Sequence, residues 1–485
     1  MSISASLSSA LSGLTAASKM AEVVSSNIAN ATTPGYGRRE VVTEALTVGS
    51  DGQGVRVAGV YRHSDPILIG DRRAAQAGAG DRDVRTAFLR RIETSIGGPD
   101  DATSLGARIA ALDTALIEAT SRPESEARLS QVAESARGLV QHIAKTSQDI
   151  QEARAAADDR IEAEVRQVNS ALTRLAELNA KARAVYGTER DASAFMDQRQ
   201  QLIDSIASII PLREAARDSG QIALYTTGGA VLLEGTPSVL TFGAVGVITP
   251  AMTRSGGALS GLSLNGKPIE TAGEGSPIAG GSLAAHFAVR DDLAPSAQSR
   301  LDALARDLVE RFSAPGLDPS LPSGAAGLFT DAGTAFLAAS ETGLSERLTL
   351  NAAVDPQRGG ALWRLRDGLG ATIPGAVGDA RLLNRLQGAL ADHRNPASGG
   401  FMTGARSFAT LAADFLSGAA SARLTSEGEA SYATARVDAL KVMEAEGGVD
   451  TDQEMQSLLL VEQAYSANAK VVQTIHDMIQ TLLSM

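Results

Sequence analysis

The residue types that most often carry chemistry are sparse in this sequence and poorly spaced for a reaction centre. The 485 residues include no cysteine, which removes thiolate nucleophiles, disulfides and thiolate metal ligands. No histidine lies within four residues of another, so no helical pair can clamp a metal ion. The histidines are His63, His142, His286, His393 and His476. Adjacent acids such as Asp158 and Asp159 are typical of solvated helix or turn residues, although distant carboxylates can still converge in a fold.

One segment approaches a nucleotide-binding loop and then departs from it. Gly261, Gly266 and Lys267 have the spacing of a phosphate loop, but Pro268 stands where a hydroxyl should reach Mg²⁺ and where a helix should begin. Asn265-Gly266 between two β-like runs instead predicts a hairpin. We therefore predict no catalytic, cofactor-binding or metal-binding residues, and no enzyme activity.

Composition and charge narrow the class further. The chain has 44 basic and 56 acidic residues, a net charge of −12, which argues against nucleic acid as a partner. No run approaches the ~20 apolar residues of a membrane span, so no membrane insertion is expected. The first twenty residues lack a basic region and a continuous apolar core, so no cleaved signal peptide is expected.

The strongest patterns lie at the two ends of the chain. Apolar or small residues recur there at gaps of three and four, the spacing of helices that pack along a narrow seam. The N-terminal seam consists of Leu7, Leu11, Leu14, Ala17, Ala21, Val24 and Ile28. The C-terminal seam consists of Leu458, Val461, Tyr465, Asn468, Val472, Ile475, Ile479 and Leu482. Thr451 and Glu454 fit a capping box at the start of the second helix. Both helices are expected to need a partner, which makes these seams the predicted assembly interface.

Between the two ends the sequence predicts a mainly α fold with an inserted small β domain. A helix is expected to begin at Ser121 and to continue as a rod to Gly187, because about 60 residues contain no proline. Glycines at 78, 80 and 428 are expected to interrupt helices. Short β-like runs, including Val245 to Thr249, follow from about residue 213. The N- and C-terminal parts of the chain are expected to form a long, coiled-coil-like helical rod.

Three domains follow from these patterns. Residues 1–35 and 449–485 form a terminal helical domain, predicted to line an inner tube. Residues 36–212 and 281–448 form a helical rod domain with an irregular segment at 316–404. Residues 213–280 form a β-rich outer domain.

Two terminal motifs and one internal motif resemble a known family. Ser26-Asn27-Ile28-Ala29-Asn30 followed by Thr33-Pro34-Gly35-Tyr36 resembles the N-terminal signature of bacterial flagellar rod, hook and hook-associated proteins. The segments beginning Gly448-Val449-Asp450 and Glu462-Gln463-Ala464-Tyr465 resemble their C-terminal signature. Asp197-Gln198-Arg199 and the long helical middle are similar to the hook-associated members. Asn27, Asn30, Thr33, Pro34, Gly35 and Tyr36 are the family-motif residues.

The resemblance implies a structural protein that polymerises at the hook tip and joins hook to filament. Implied partners are further copies of the chain, the hook protein, a second hook–filament junction protein and an export chaperone bound to the C-terminal helix. The implied location is the extracellular flagellum, reached through the flagellar type III export system. The alternatives are a rod or hook subunit of the same family and, more remotely, a peptidoglycan hydrolase that accompanies flagellar assembly.

Overall fold

The computed structural model describes residues 3–48, 51–186, 192–273 and 275–484, and within these ranges the chain is mainly helical. The longer helices are α1 (Ile3–Asn30), α2 (Pro66–Ile96), α3 (Leu105–Ser121), α4 (Glu126–Val185), α5 (Ser193–Ala207), α6 (Ser282–Ala288) and α7 (Ala294–Phe312), then α10 (Arg381–Ala391), α11 (Phe408–Glu446) and α12 (Thr451–Ser484). Two single-turn helices, α8 (Leu344–Arg347) and α9 (Arg364–Asp367), lie between α7 and α10. A π-helical turn, Val289–Leu293, joins α6 to α7. The predicted mainly α fold is confirmed.

The strands form small antiparallel sheets. A hairpin of β1 (Arg39–Val48) and β2 (Asp51–Arg62) follows α1. A four-stranded sheet has the order β3 (Leu212–Ala216), β4 (Ile222–Thr226), β5 (Val231–Glu234), β6 (Thr236–Pro237). A three-stranded sheet has the order β7 (Leu240–Thr241), β8 (Leu262–Leu264), β9 (Lys267–Ile269), and β10 (Phe329–Asp331) pairs with β11 (Leu348–Leu350).

The helix α4 supplies both hydrophobic cores. Its first half packs with α2, α3, α7, α10 and α11 around fully buried residues that include Leu139, Ile143 and Phe312. Its second half packs against β3, β4 and α6 through a cluster that includes Ile161 and Leu172. One straight helix of 60 residues therefore joins the helical body to the β-rich region.

In the β-rich region the predicted hairpin is confirmed, whereas one predicted strand was wrong. Asn265 and Gly266 connect β8 to β9 with φ of 50° and 76°, as a two-residue primed turn requires. Val245 to Thr249, predicted as a strand, forms a loop instead. Asp158, predicted as solvated, is fully buried on α4 and accepts a hydrogen bond from the Val245 backbone nitrogen at 2.7 Å. The buried guanidinium of Arg154 donates to the carbonyl of Thr249 at 3.1 Å, so these two side chains hold the loop in place of a sheet.

Several predicted helix boundaries were wrong. The helix α2 runs through Gly78 and Gly80, and α11 runs through Gly428. At Gly80 a Cβ would lie 2.7 Å from the carbonyl oxygen of Ser208, so the glycine permits a close approach and does not end the helix. The helix α4 begins after Ser125, later than predicted. The predicted helix end at Gly187 lies outside the described residues.

Candidate assembly interface

The first and last long helices lie side by side and run antiparallel. Near the end of α1, the Asn27 side chain donates a hydrogen bond to Glu454, which lies in the first turn of α12. Half-way along α1, a Cβ on Gly13 would lie 2.8 Å from the side chain of Asn468. These two contacts fix both the direction and the register of the pair.

Most of the predicted seam residues face this contact, but few are fully covered. Ala17, Val24 and Ile475 are buried. The half-buried members are Leu7, Leu14, Ala21, Ile28, Leu458, Val461, Asn468, Val472 and Ile479. Leu11, Tyr465 and Leu482 are exposed, with 49%, 48% and 61% of their surface accessible. Among the described residues of α12 only Glu454 and Ile475 are buried. One partner helix therefore covers only a narrow strip of α12.

The motif residue Asn27 is a fully buried hub at the base of the pair. Its amide nitrogen donates to the carbonyl of Arg39 at 2.8 Å and to Glu454 Oε2 at 3.1 Å. Its amide oxygen accepts from the Arg39 backbone nitrogen at 3.0 Å and from the Tyr36 hydroxyl at 2.8 Å. An amide is the group that can donate to both partners on one side and accept on the other. Asn27 thus ties α1, the following turn, β1 and α12 together.

Glu454 acts differently from the capping residue predicted in the sequence. Its carboxylate is nearly inaccessible and accepts from Arg38 Nε at 2.8 Å as well as from Asn27. The N-terminal cap of α12 comes from Asp450, whose carboxylate accepts from the backbone nitrogens of Asp452 and Gln453 at 2.9 and 3.2 Å. The predicted capping box was therefore wrong, because the Glu454 carboxylate instead accepts from the partly buried Arg38 and the fully buried Asn27.

The remaining N-terminal motif residues form a tight turn. Asn30 Nδ2 donates to the carbonyl of Ser26 at 2.9 Å and so satisfies the end of α1. The Tyr36 nitrogen donates to the carbonyl of Thr33 at 3.1 Å, and Gly35 has a φ of 77°, as a type II turn with Pro34 at its second position requires. These motif residues therefore shape the backbone that follows α1.

This turn docks on α5 through Asp197, which belongs to the internal motif. Asp197 Oδ1 accepts from the Gly37 nitrogen at 3.1 Å and from Arg62 Nε at 2.7 Å. Asp197 Oδ2 accepts from Arg39 Nη2 at 2.6 Å. Gln201 Nε2 donates to the carbonyl of Pro34 at 2.8 Å. All three sequence motifs thus meet at one joint, which we call the basal joint: Asn27, Tyr36, Arg38, Arg39, Arg62, Asp197 and Glu454.

A second group of ion pairs attaches the end of α11 beside this joint. Arg72 donates to Asp204 at 2.8 Å and to Glu444 at 2.5 Å, and Arg73 donates to Asp204 at 2.6 Å. Burial alone lowers the pKa of the Arg72 guanidinium, but the two carboxylates outweigh it and raise that pKa above its ordinary value. The arginines on β2 and α2 were missed in the sequence, because nothing local indicates which carboxylates they meet.

The joint is arranged for holding and orienting helices. Its buried carboxylates are each matched by guanidinium or amide donors, an arrangement that stabilises one geometry. Among the described residues there is no group of three or more His, Asp or Glu side chains that could bind a metal ion. No helix in the described ranges is both long and apolar enough to cross a membrane.

Three family models match successive parts of the chain. Residues 7–36 match the flagella basal body rod protein model, and residues 446–485 match the C-terminal model of the flagellar basal body rod FlgEFG proteins. Residues 89–315 match the model of the flagellar hook-associated protein FlgK helical domain. Both ends, and a middle segment that makes up nearly half of the chain, therefore resemble flagellar proteins.

Curated relatives and a solved structure carry related names. Flagellar hook-associated protein 1 of Salmonella typhimurium is 27% identical over 241 residues, covering 48% of this chain and 43% of that protein. The protein of the same name from Bacillus subtilis is 26% identical over 240 residues, covering 47% of each chain. The flagellar hook junction protein FlgK from Burkholderia pseudomallei matches with a TM-score of 0.45 at 17% identity, covering 54% of this chain and 46% of that one. The match thus spans less than half the length of these curated relatives.

The two terminal models, found on one chain, make this chain similar to proteins of the flagellar rod, hook and hook-associated class. Within that class the helical middle and the curated relatives agree on one member. The chain resembles flagellar hook-associated protein 1, which confirms the resemblance recognised from the terminal motifs.

Proposed function

We propose that this protein is a structural component of the bacterial flagellum that assembles at the tip of the hook and connects hook to filament. The observation that carries the proposal is the basal joint, in which Asn27 and Glu454 bring the two terminal motifs together across 427 residues of chain. The match of residues 89–315 to the hook-associated helical domain favours this function over that of a rod or hook subunit.

The proposed mechanism places α1 and α12 along the inner tube of the junction. The seam residues join the two helices within each copy, and those that stay accessible contribute to the assembly interface. The support is their geometry: an antiparallel pair that leaves most of α12 accessible. Assembly covers this apolar surface and so supplies free energy that the isolated pair lacks. The helical rod domain and the β-rich outer domain then project away from the axis on the basal joint.

The proposed partners follow from the same family. They are further copies of this chain, the hook protein, a second hook–filament junction protein and an export chaperone that holds the C-terminal helix before export. The proposed location is the extracellular flagellum, reached through the flagellar type III export system.

The test is a chain that lacks residues 449–485, expressed in a strain without its own copy of this protein. The buried cores lie in the body, so the truncated chain should keep the folded middle, as measured by circular dichroism and limited proteolysis. It should fail to appear at hook tips in electron micrographs, and the full-length chain in the same strain is the control. Normal filaments from the truncated chain would refute the proposal.

A further inference from the structure

The α1–α12 pair carries two uncharged or nearly uncharged stripes that nothing in the described chain covers. The α12 stripe repeats at gaps of four and three, and its members are all exposed. They are Leu460, Ala464, Ala467, Val471, Thr474 and Met478. The α1 stripe has the same spacing and is also exposed. Its members are Ser8, Leu11, Thr15, Ser18, Glu22 and Ser25.

Each stripe is offset by one residue from the seam of its own helix, which places it about 100° around the helix. On α1 the stripe follows the seam by one position, as Ser18 and Ser25 follow the buried Ala17 and Val24. Leu11, which belongs to the predicted seam, is exposed and is counted with the stripe. On α12 it precedes the seam by one position, as Leu460 precedes Val461. Because the two helices are antiparallel, these opposite offsets turn the stripes to opposite sides of the pair.

Opposite sides specify the kind of contact that the stripes can make. A two-fold dimer would bring one stripe against its own copy and leave the other uncovered. A head-to-tail contact, with the α12 stripe of one copy on the α1 stripe of the next, covers both and continues from copy to copy. We propose that this head-to-tail contact joins neighbouring copies of this chain, an inference that rests on the proposed function and names the faces through which it operates.

The side chains of the two stripes complement each other in size. Val471 and Met478 are large and are 44% and 51% exposed, whereas the α1 stripe is mostly Ser and Thr, whose short side chains let a neighbouring helix approach closely. The hydroxyls of Thr15 and Thr474 donate to carbonyls of their own helices. These two hydroxyls therefore keep a partner when the stripes are covered.

The opposite flank of α1 is already occupied, which leaves the stripe as its free flank. The Val55 nitrogen of β2 donates to Ser12 Oγ at 3.1 Å, so the β1–β2 hairpin lies on that opposite flank. A contact between two stripes of six side chains each is small beside the roughly 20–30 residues a side of a standard protein–protein interface. One pair of copies should therefore associate weakly, and stable association should need both stripes of each copy, as in a closed ring or tube.

Charge sets the register of the contact. Glu22 is the charged member of the α1 stripe, and Lys470 lies on the edge of the α12 stripe. An antiparallel contact that brings these two charges together also places Ser25 beside Ala467 of the neighbouring copy. Glu22 already pairs with Lys19 of its own helix at 2.9 Å, so Lys470 would extend an existing ion pair.

The absence of cysteine from the sequence makes site-directed cross-linking clean. Two full-length variants, Ser25→Cys and Ala467→Cys, are co-expressed in the strain without its own copy, and isolated flagella are treated with a short bis-maleimide. We expect a covalent dimer of the two variants, at least tenfold more abundant than when Ser466→Cys replaces Ala467→Cys. Residues 466 and 467 are both exposed neighbours on α12, so the control differs only in the face presented.

Each outcome decides between the possible contacts. Equal yields from the two pairs, or no dimer in flagella that contain both variants, would overturn the head-to-tail contact while leaving the proposed function intact. Dimers formed by Ser25→Cys alone would show a two-fold contact and would also overturn it. Failure of even the unmodified chain to reach the hook tip would instead refute the proposed function.

Discussion

The hub role of Asn27 can be tested by an isosteric change, Asn27→Asp. The carboxylate keeps the two hydrogen bonds that Asn27 accepts but loses the two that it donates, to the Arg39 carbonyl and to Glu454. Two lost bonds cost about 2 kcal/mol. The new carboxylate would also lie about 3 Å from that of Glu454, a repulsion of at most ~5 kcal/mol at an effective dielectric constant of 20, which proton uptake by one of the two relieves. The destabilisation of α12 docking at pH 7 therefore lies between about 2 and 7 kcal/mol, and partial relief of the repulsion makes roughly 4 kcal/mol the expected value.

The matching change, Glu454→Gln, provides an internal rescue. Alone it should destabilise the joint, because its amide would direct a donor either at Asn27 Nδ2 or at Arg38 Nε, both of which are donors. Combined with Asn27→Asp, the new amide can donate to the new carboxylate while its oxygen still accepts from Arg38. The double variant should therefore be more stable than the sum of the single effects by roughly 2 kcal/mol.

Hydrogen exchange along α12 is the suitable assay, because the perturbation acts on one helix of a much larger fold. A loss of roughly 4 kcal/mol corresponds to exchange at least a hundredfold faster over α12 amides, with α4 amides around Ile143 as the unaffected control. Below about pH 5 the effect of Asn27→Asp should shrink, because a proton then removes the repulsion. Unchanged α12 exchange in Asn27→Asp, or no rescue by Glu454→Gln, would refute the hub role.

Two further predictions concern the C-terminal seam and the junction of α4 with α6. Tyr465→Asp should impair incorporation at the hook tip without lowering the melting temperature of the body, because Tyr465 lies half-exposed on the terminal pair. Tyr465→Phe is the control. Equal loss of incorporation and of melting temperature would contradict this prediction. Burial raises the pKa of Glu164 to about 7, so protonation of Glu164 stabilises the fold as the pH falls from 7 to 4.5. Burial lowers the pKa of His286 to about 4, so the buried neutral His286 destabilises the fold as the pH falls from 6.5 to 4. On acidification the free energy of unfolding of His286→Gln should rise by roughly 2 kcal/mol relative to that of the unmodified chain, and that of Glu164→Gln should fall by a similar amount. Denaturant unfolding at several pH values measures both changes. Parallel pH profiles for all three chains would refute the opposite effects of the two groups.

The predictions that succeeded depend on local chemistry. The Asn265-Gly266 hairpin follows from the backbone preferences of two adjacent residues, which distant contacts rarely override. The long helix α4 follows from composition over about 60 residues. Such signals are complete within the segment that carries them.

The predictions that failed depend on contacts between distant segments. A glycine within a helix costs about 1 kcal/mol, which packing along α11 and α2 outweighs at Gly428 and Gly80. The β-like run at Val245 is a loop because Asp158 on α4 takes its backbone nitrogen. Glu454 fits a capping pattern, yet its partners lie more than 400 residues earlier in the chain. Nothing within either segment identifies these pairs.

The distribution of burial explains how one chain can be both folded and ready to assemble. The body is stabilised by two cores, one of them along each half of α4, and so does not depend on other subunits. The terminal pair buries little of α12, so its apolar contacts add less free energy than the cores of the body do, and the hydrogen bonds of the basal joint hold the pair together. The direction of the terminal pair is nevertheless fixed, because the hydrogen-bonded charges of the basal joint set the angle of α12 relative to α1 and α5. We infer that the joint orients the pair before assembly and that neighbouring copies then supply the burial that the monomer lacks. A joint made of charges suits this role, because hydrogen bonds fix direction whereas apolar contacts alone tolerate sliding and rotation.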